Sequence, residues 1–180
     1  MIEVRPFRPE DELRVLAIYQ AAFSGPPWDE SLPMSTVRSR WSFYRDKRGF
    51  RPMVAVMDGQ LVGAIWWDTP TLSELATERG SDLALFAGQK LGKGQLIWER
   101  EVITHPDYQK QGAATALRKT MLKMVAREKT ALVLTRMRQD NLAILKVATN
   151  LGFQQTGFTA PSKQPGIVHQ YWYKIVTQAE

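Results

Sequence analysis

The extended apolar run Gln95 to Thr104 ends just before Pro106. It is followed by Gln109-Lys110-Gln111-Gly112-Ala113-Ala114, after which apolar residues recur at helical spacing to about Glu128. A strand, a glycine-bearing turn and a long amphipathic helix, in that order, commit the chain to layers of helix on sheet. The start of such a helix presents backbone N–H groups that lack an intrahelical acceptor, and the helix dipole adds partial positive charge there. Together they make an anion site suited to a pyrophosphate. Close backbone approach accounts for Gly112 and for the small Ala113 and Ala114 behind it. An ordinary connection that favours small residues accounts for the same letters, and the local pattern does not choose between the two.

Charge bears on that choice. Of the net +6, most sits in residues 109–129, where Lys110, Arg118, Lys119, Lys123, Arg127 and Lys129 face Glu128 alone. The resulting field suits an anionic ligand near the turn. A solvated helix face explains such a run equally well. Nucleic acid is disfavoured as a partner, because no recognised motif with interleaved aromatics occurs in the stretch. The chain has no cysteine, so disulfides, thiolate metal sites and a cysteine nucleophile are excluded. His105 and His169 lack metal-ligand spacing, and no metal site is expected. No segment reaches the ~20 apolar residues of a membrane span, and Met-Ile-Glu-Val-Arg lacks signal-peptide architecture. A cytoplasmic protein without membrane association is the expectation. At 180 residues a single domain, 1–180, is the simplest organisation.

The remaining elements follow from periodicity. Ile2 to Phe7 alternates as a strand. Pro9 to Glu12 opens a helix carrying Leu13, Val15, Leu16, Tyr19, Ala22 and Phe23, which Gly25-Pro26-Pro27 stops. Ser35 to Asp46 predicts a second helix with Val37, Trp41 and Tyr44 on one side. Asp58-Gly59 joins Pro52 to Met57 and Leu61 to Trp67 as a hairpin. Residues 69–93 are the least readable: short helices at Ser73 to Glu78 and Asp82 to Phe86 fit an insertion or lid-like connection. The helix after Gly112 places Ala113, Leu117, Met121, Met124 and Val125 on a core stripe with the basic residues elsewhere. Ala131 to Met137 is a strand, and Asp140 begins a helix ending at Leu151-Gly152. Gln154 to Phe158 and Val168 to Val176 close the chain as strands. The sum is an α/β fold: a mixed, mostly antiparallel central sheet of about seven strands flanked by about four helices.

This order resembles the GNAT superfamily of acyl-CoA-dependent N-acetyltransferases, and three blocks carry the likeness. Val102 to Ala114 is similar to the family's strand-to-helix signature, in which Gln or Arg precedes x-x-Gly-x-Gly/Ala. Arg138-Gln139-Asp140-Asn141 resembles the Arg-x-x-Asn that opens the family's fourth helix, and Asn150-Leu151-Gly152-Phe153 the Leu-Gly-Phe that closes it. The first ~90 residues match by element order only. The resemblance implies acetyl-CoA as cosubstrate. Its pyrophosphate would lie on the turn formed by Gln109, Lys110, Gln111, Gly112, Ala113, Ala114 and Thr115. Its pantetheine arm would pair with Val102, Ile103 and Thr104 like an added strand, and Asn141 would touch the arm. As a helix cap Asn141 has a second, purely structural reading.

Transfer of an acyl group from a thioester to an amine needs a base for the amine, a donor for the oxyanion and relief for the departing thiolate. A backbone N–H near Val102 or Ile103 is the candidate oxyanion donor. Glu99 and Glu101 are the candidate bases, on one face of the strand by alternation unless a bulge intervenes. Pairing with Arg100 or nearby lysines explains the same acids. Many family members carry a tyrosine, serving as general acid, seven residues after the helix-four asparagine. Here that position is Ala148. Tyr171 or Tyr173 is a candidate substitute, or the thiolate leaves unassisted.

Trp28, Asp29 and Glu30, between the first two helices, are expected to hold a cationic amine by ring face and charge. Trp66, Trp67 and Asp68 are candidates for the same acceptor site, with core packing as the competing role for the tryptophans. The acceptor expected is a small or aminoglycoside-like amine. A protein or peptide amine is the alternative, as is a coenzyme-binding module with little catalysis. Tyr171-Trp172-Tyr173 suits a homodimer contact or core packing equally.

Overall fold

The computed structural model of the chain describes residues 1–178. In order they form β1 (Ile2–Pro6), α1 (Glu12–Ser24), α2 (Met34–Arg45), β2 (Arg51–Met57), β3 (Gln60–Asp68), α3 (Leu72–Arg79), α4 (Ser81–Leu91), β4 (Gln95–Thr104), α5 (Ala113–Glu128), β5 (Ala131–Arg138), α6 (Leu142–Asn150), β6 (Gln154–Pro161) and β7 (Val168–Val176). The seven strands make one sheet in the order β1-β2-β3-β4-β5-β7-β6. Pairing is antiparallel between β1 and β2, β2 and β3, β5 and β7, and β6 and β7, and parallel between β4 and β5. By contacts the chain divides into two compact units, residues 1–67 with 100–120, and residues 68–99 with 121–180. β4 and α5 each give residues to both.

The first unit is built on a hairpin and two helices. Asp58 and Gly59 both have positive φ, 51° and 77°. A two-residue turn of this hand matches the strand twist, and it sets Met57 opposite Gln60. Before α1, Asp11 accepts hydrogen bonds from the Arg8 N–H at 2.8 Å and from both Arg5 terminal nitrogens at 2.7 and 2.8 Å. The core joins Val15, Leu16, Ile18, Tyr19 and Phe23 of α1 to Val37 and Trp41 of α2 and to Val54, Ala64, Trp66 and Ile103 of the strands. Fully burying one Ile or Leu of this set contributes roughly 1.5–3 kcal/mol. Leu13, expected on that stripe, is instead 67% exposed, and Ile18 takes the inner position at 0%.

In the second unit, residues 69–93 are no lid. Thr71 and Glu74 form a capping box, each side chain accepting the other's backbone N–H at 3.1 and 2.6 Å. This Thr-x-x-Glu starts α3 ahead of the expected Ser73. Leu75 of α3 and Leu83, Ala84 and Ala87 of α4 then bury against Leu96, Trp98, Leu132, Leu134 and Tyr171. The segment is core, which brings the α-helices to six rather than about four. Asp140 does not begin α6: it accepts from Arg138 Nε at 2.9 Å, and Asn141 is the cap. The other strand and helix limits fall within a few residues of expectation.

Candidate functional site

In the first unit the end of β4 and the start of α5 are joined by a short connection. The His105 N–H donates to the Val62 carbonyl at 2.8 Å, and its Nδ1 accepts from the Asp107 N–H at 3.3 Å. Pro106–Tyr108 make a 3-10 turn, and the Tyr108 hydroxyl donates to Gln60 Oε1 at 2.8 Å. Lys110 then adopts φ 62° and Gly112 φ 93°. Two left-handed residues in three fold the chain back onto the helix start, and at φ 93° a side chain would be strained. The Gly112 carbonyl accepts the first helical bond, from the Ala116 N–H at 2.9 Å. The amides of Ala113, Ala114 and Thr115 precede any i−4 carbonyl of the helix, so they are the ones α5 offers to an acceptor. Gln109, Lys110, Gln111 and Gly112 are exposed. The turn is thus accessible, donor-rich and positively charged.

The basic helix differs from expectation at one residue. Lys119, Lys123, Arg127 and Lys129 are exposed, but Arg118 is buried to 0% and belongs to the interior.

Within β4, Ile103 is buried at 3%, and Val102 and Thr104 are half-buried. Register with β5 runs without a shift from Gln95↔Ala131 to Glu99↔Thr135, so the bulge considered for this strand is not in that stretch. The two glutamates have different surroundings. Glu99, in the second unit, is 2% exposed and accepts a hydrogen bond from Thr135 Oγ1 at 3.0 Å. Its carboxylate is spoken for by the interior, and the expectation that it serves as a base is corrected accordingly. Glu101, in the first unit, is half-buried and accepts from the Tyr44 hydroxyl at 3.0 Å.

Behind Tyr44 lies a polar cluster that the sequence reading missed. The Tyr19 and Tyr44 rings both lie 5.8 Å from Trp66. Tyr19 Oη accepts from Arg40 Nη1 at 3.3 Å, and Arg40 Nη2 reaches Glu30 Oε2 at 3.3 Å. Burial above all, then the charge of Glu101, pushes both phenols well above their ordinary range, so they stay protonated. Tyrosines on a stripe that leucine or phenylalanine would fill were the available signal, since a buried hydroxyl requires a partner.

The acceptor candidates separate. Trp28 packs its ring on Phe23 at 4.8 Å, and Glu30 is engaged by Arg40. Asp29 is exposed, at φ 48°. Trp66 and Trp67 are 0% and 1% exposed and Asp68 1%, so burial makes them packing residues rather than acceptor contacts. In the second unit Tyr171 is 4% exposed with its ring 6.0 Å from Trp98, which makes it a core residue. The Tyr173 hydroxyl donates to Gln154 Oε1 at 2.7 Å. Asn141 Oδ1 accepts from the Ile144 N–H at 3.4 Å, the cap role. Ala148 is 0% exposed. Among the described residues no three His, Asp or Glu side chains gather as a metal site would need, and no helix is long and apolar enough to cross a membrane.

A family model described as the acetyltransferase (GNAT) family matches residues 14–153. The chain belongs to this family. Among curated proteins no relative matches the GNAT sequence described here. Solved structures do. The ribosomal-protein-S18-alanine N-acetyltransferase of Escherichia coli is 14% identical with a TM-score of 0.70, the match covering 100% of this chain and 97% of that one. The ribosomal-protein-alanine N-acetyltransferase of Brucella melitensis is 17% identical, TM-score 0.70, covering 96% and 99%. A GNAT superfamily phosphinothricin acetyltransferase from Sinorhizobium meliloti, solved in complex with acetyl-CoA, is 13% identical, TM-score 0.71, covering 99% and 90%. At such identity the likeness establishes the GNAT fold.

Proposed function

We propose that this GNAT protein transfers an acetyl group from acetyl-CoA to a small primary amine, with residues 1–180 acting as one catalytic domain. The observation that carries the reading is the turn before α5, where Gly112 at φ 93° opens a 16-residue helix directly after a strand bearing Glu101. A pyrophosphate suits the backbone amides of Gly112 to Thr115 at the helix start and the Lys110 charge. The backbone of Val102 to Thr104 would hold the amide-bearing arm as an added strand, with an N–H near Val102 or Ile103 for the oxyanion.

Acetyl-CoA supplies the activated acyl group and a thiolate that leaves. Glu101 is the base: the N–H bond of the ammonium breaks, the proton passes to the carboxylate, and the amine lone pair is released for attack. Asp29 offers an exposed negative charge to the incoming cation. The thiolate departs without a protein acid. Free thiols ionise near pKa ~8.5, Ala148 has no proton to give, and Tyr173 is engaged with Gln154. If Tyr171 were the acid after all, Tyr171→Phe would lower the rate, whereas unassisted departure leaves it unchanged.

Thermal unfolding with acetyl-CoA, free coenzyme A and ATP tests the reading. Ligand at ~100 times its dissociation constant adds about 2.7 kcal/mol to a protein that binds it only when folded. Stabilisation by both coenzymes but not by ATP is expected, and no shift with any of them would reduce the turn to a tight connection. Thiol release across small amines and alanyl peptides then decides the acceptor. Turnover with peptides alone would overturn the small-amine assignment.

A further inference from the structure

Five side chains of the first unit, from four parts of the chain, form one polar cluster that includes Glu101. Glu30 comes from the connection between α1 and α2, Arg40 and Tyr44 from α2, Tyr19 from α1 and Glu101 from β4. The Tyr44 proton points at Glu101 Oε1, 3.0 Å away. Separately, the Tyr19 oxygen accepts from Arg40 at 3.3 Å. Arg40 donates only and cannot lose its proton, so the sense of that bond is fixed. Glu30 anchors its far side at 3.3 Å.

The rings have little freedom to turn away. Tyr19 stacks on Phe23 at 4.5 Å and on Trp66 at 5.8 Å, and Tyr44 lies 5.8 Å from Trp66, which Trp41 meets edge-on at 5.2 Å.

Resting on the reading of Glu101 as the base, we propose that Tyr44 is its positioning residue. In this role the Tyr44 hydroxyl holds the Glu101 carboxylate turned toward the acceptor amine. Its bond favours the charged form of Glu101, because hydrogen bonds to a carboxylate stabilise it against protonation. The titratable and charged groups beside Glu101 include Tyr44 and Tyr19, with Arg40 and Glu30 behind them. Both phenols keep their protons, so Glu101 is the member of the cluster that exchanges one with substrate.

The test reads Glu101 directly and then the reaction. Glutamate side-chain carboxyls labelled with carbon-13 are titrated by NMR in the whole protein, with Glu101→Gln identifying the signal. Tyr44→Phe should raise the Glu101 midpoint. Retained stabilisation by acetyl-CoA shows that each variant is folded. An unmoved midpoint in folded Tyr44→Phe overturns the proposal. The pH profile of kcat/KM with methylamine and with an alanyl peptide should then show its acid limb displaced to higher pH by the same amount, with KM for acetyl-CoA unchanged. A midpoint that moves while the limb stays upholds the Tyr44 bond and overturns Glu101 as the base.

Discussion

The two compact units keep their buried polar groups in different ways. In the first, Glu101 accepts from a phenol of α2, and a phenol of α1 accepts from an α2 guanidinium that also pairs with Glu30. In the second, the polar contacts are short and local: Glu99 with the threonine opposite it on β5, and Arg138 with Asp140 and with Gln164 at 2.7 Å. Two glutamates separated by one residue thus have different chemical prospects. A carboxylate satisfied by a buried neighbouring hydroxyl is a structural group. One bonded to a phenol, and still partly exposed, retains a side for substrate.

The sharpest way to break that contrast is to remove each carboxylate. Glu101→Gln should lower kcat/KM by about 10²–10⁴, the span for loss of a general base, while Glu99→Gln stays within about tenfold. Thiol release at saturating acetyl-CoA measures both, and equal losses would erase the distinction.

A smaller effect concerns His169 of the second unit. Burial foremost, then Arg136, Arg138 and Arg79, against an opposing Asp140, brings it down to about 4 from 6.5. A histidine lowered on folding is neutral in the native state and takes a proton more readily when unfolded. Its contribution is therefore complete above about pH 6.5 and is lost as pH falls toward 4. Solvent reaches the half-buried ring, so screening keeps the effect below the full ~1.36 kcal/mol per pKa unit. Denaturation midpoints across pH 4–7 should flatten in His169→Gln, and an unchanged slope would assign the acid sensitivity elsewhere.

The smallest effect tests the first unit's other charged pair. The Arg5 bonds hold Asp11 below its usual 3.8 despite burial. Stability from Asp11 is present above that value and is lost as pH falls through the lower native one. Asp11→Asn should cost about 1–3 kcal/mol at pH 7 by urea unfolding, and less at pH 3. A loss that does not shrink with acid would mean that packing, not charge, is what Asp11 provides.

Much of this was legible in the residues, for identifiable reasons. Asp58-Gly59 declares its hairpin because few other pairs tolerate two positive φ values, and the Gly112 turn is read from the same constraint. Glycine and proline speak locally. The miscalculated elements depend on distant partners. Leu13 and Ile18 are both apolar on α1, and only the strands beneath decide which is covered. Arg118 reads as a surface cation until the fold buries it. Residues 69–93 looked loose because Gly80, Gly88, Gly92 and Gly94 punctuate them, yet Thr71 and Glu74 had already specified a helix start. The polar cluster at Glu101 joins residues 19, 30, 40, 44 and 101, and no window of the sequence holds them together.

Gly63 of β3 faces Ala55 beside the point where the β2–β3 register shifts, and a Cβ placed there would stand 2.7 Å from the Ile103 carbonyl. Even alanine would have to displace the backbone of β4 at the residue set between Val102 and Thr104. A saturation library at position 63, sorted for acetyl transfer, should therefore return glycine almost alone. Attempts to retune this protein for other acyl donors have a fixed spacer at that position, and changes are better sought in the side chains of β4 than in the strand beside it.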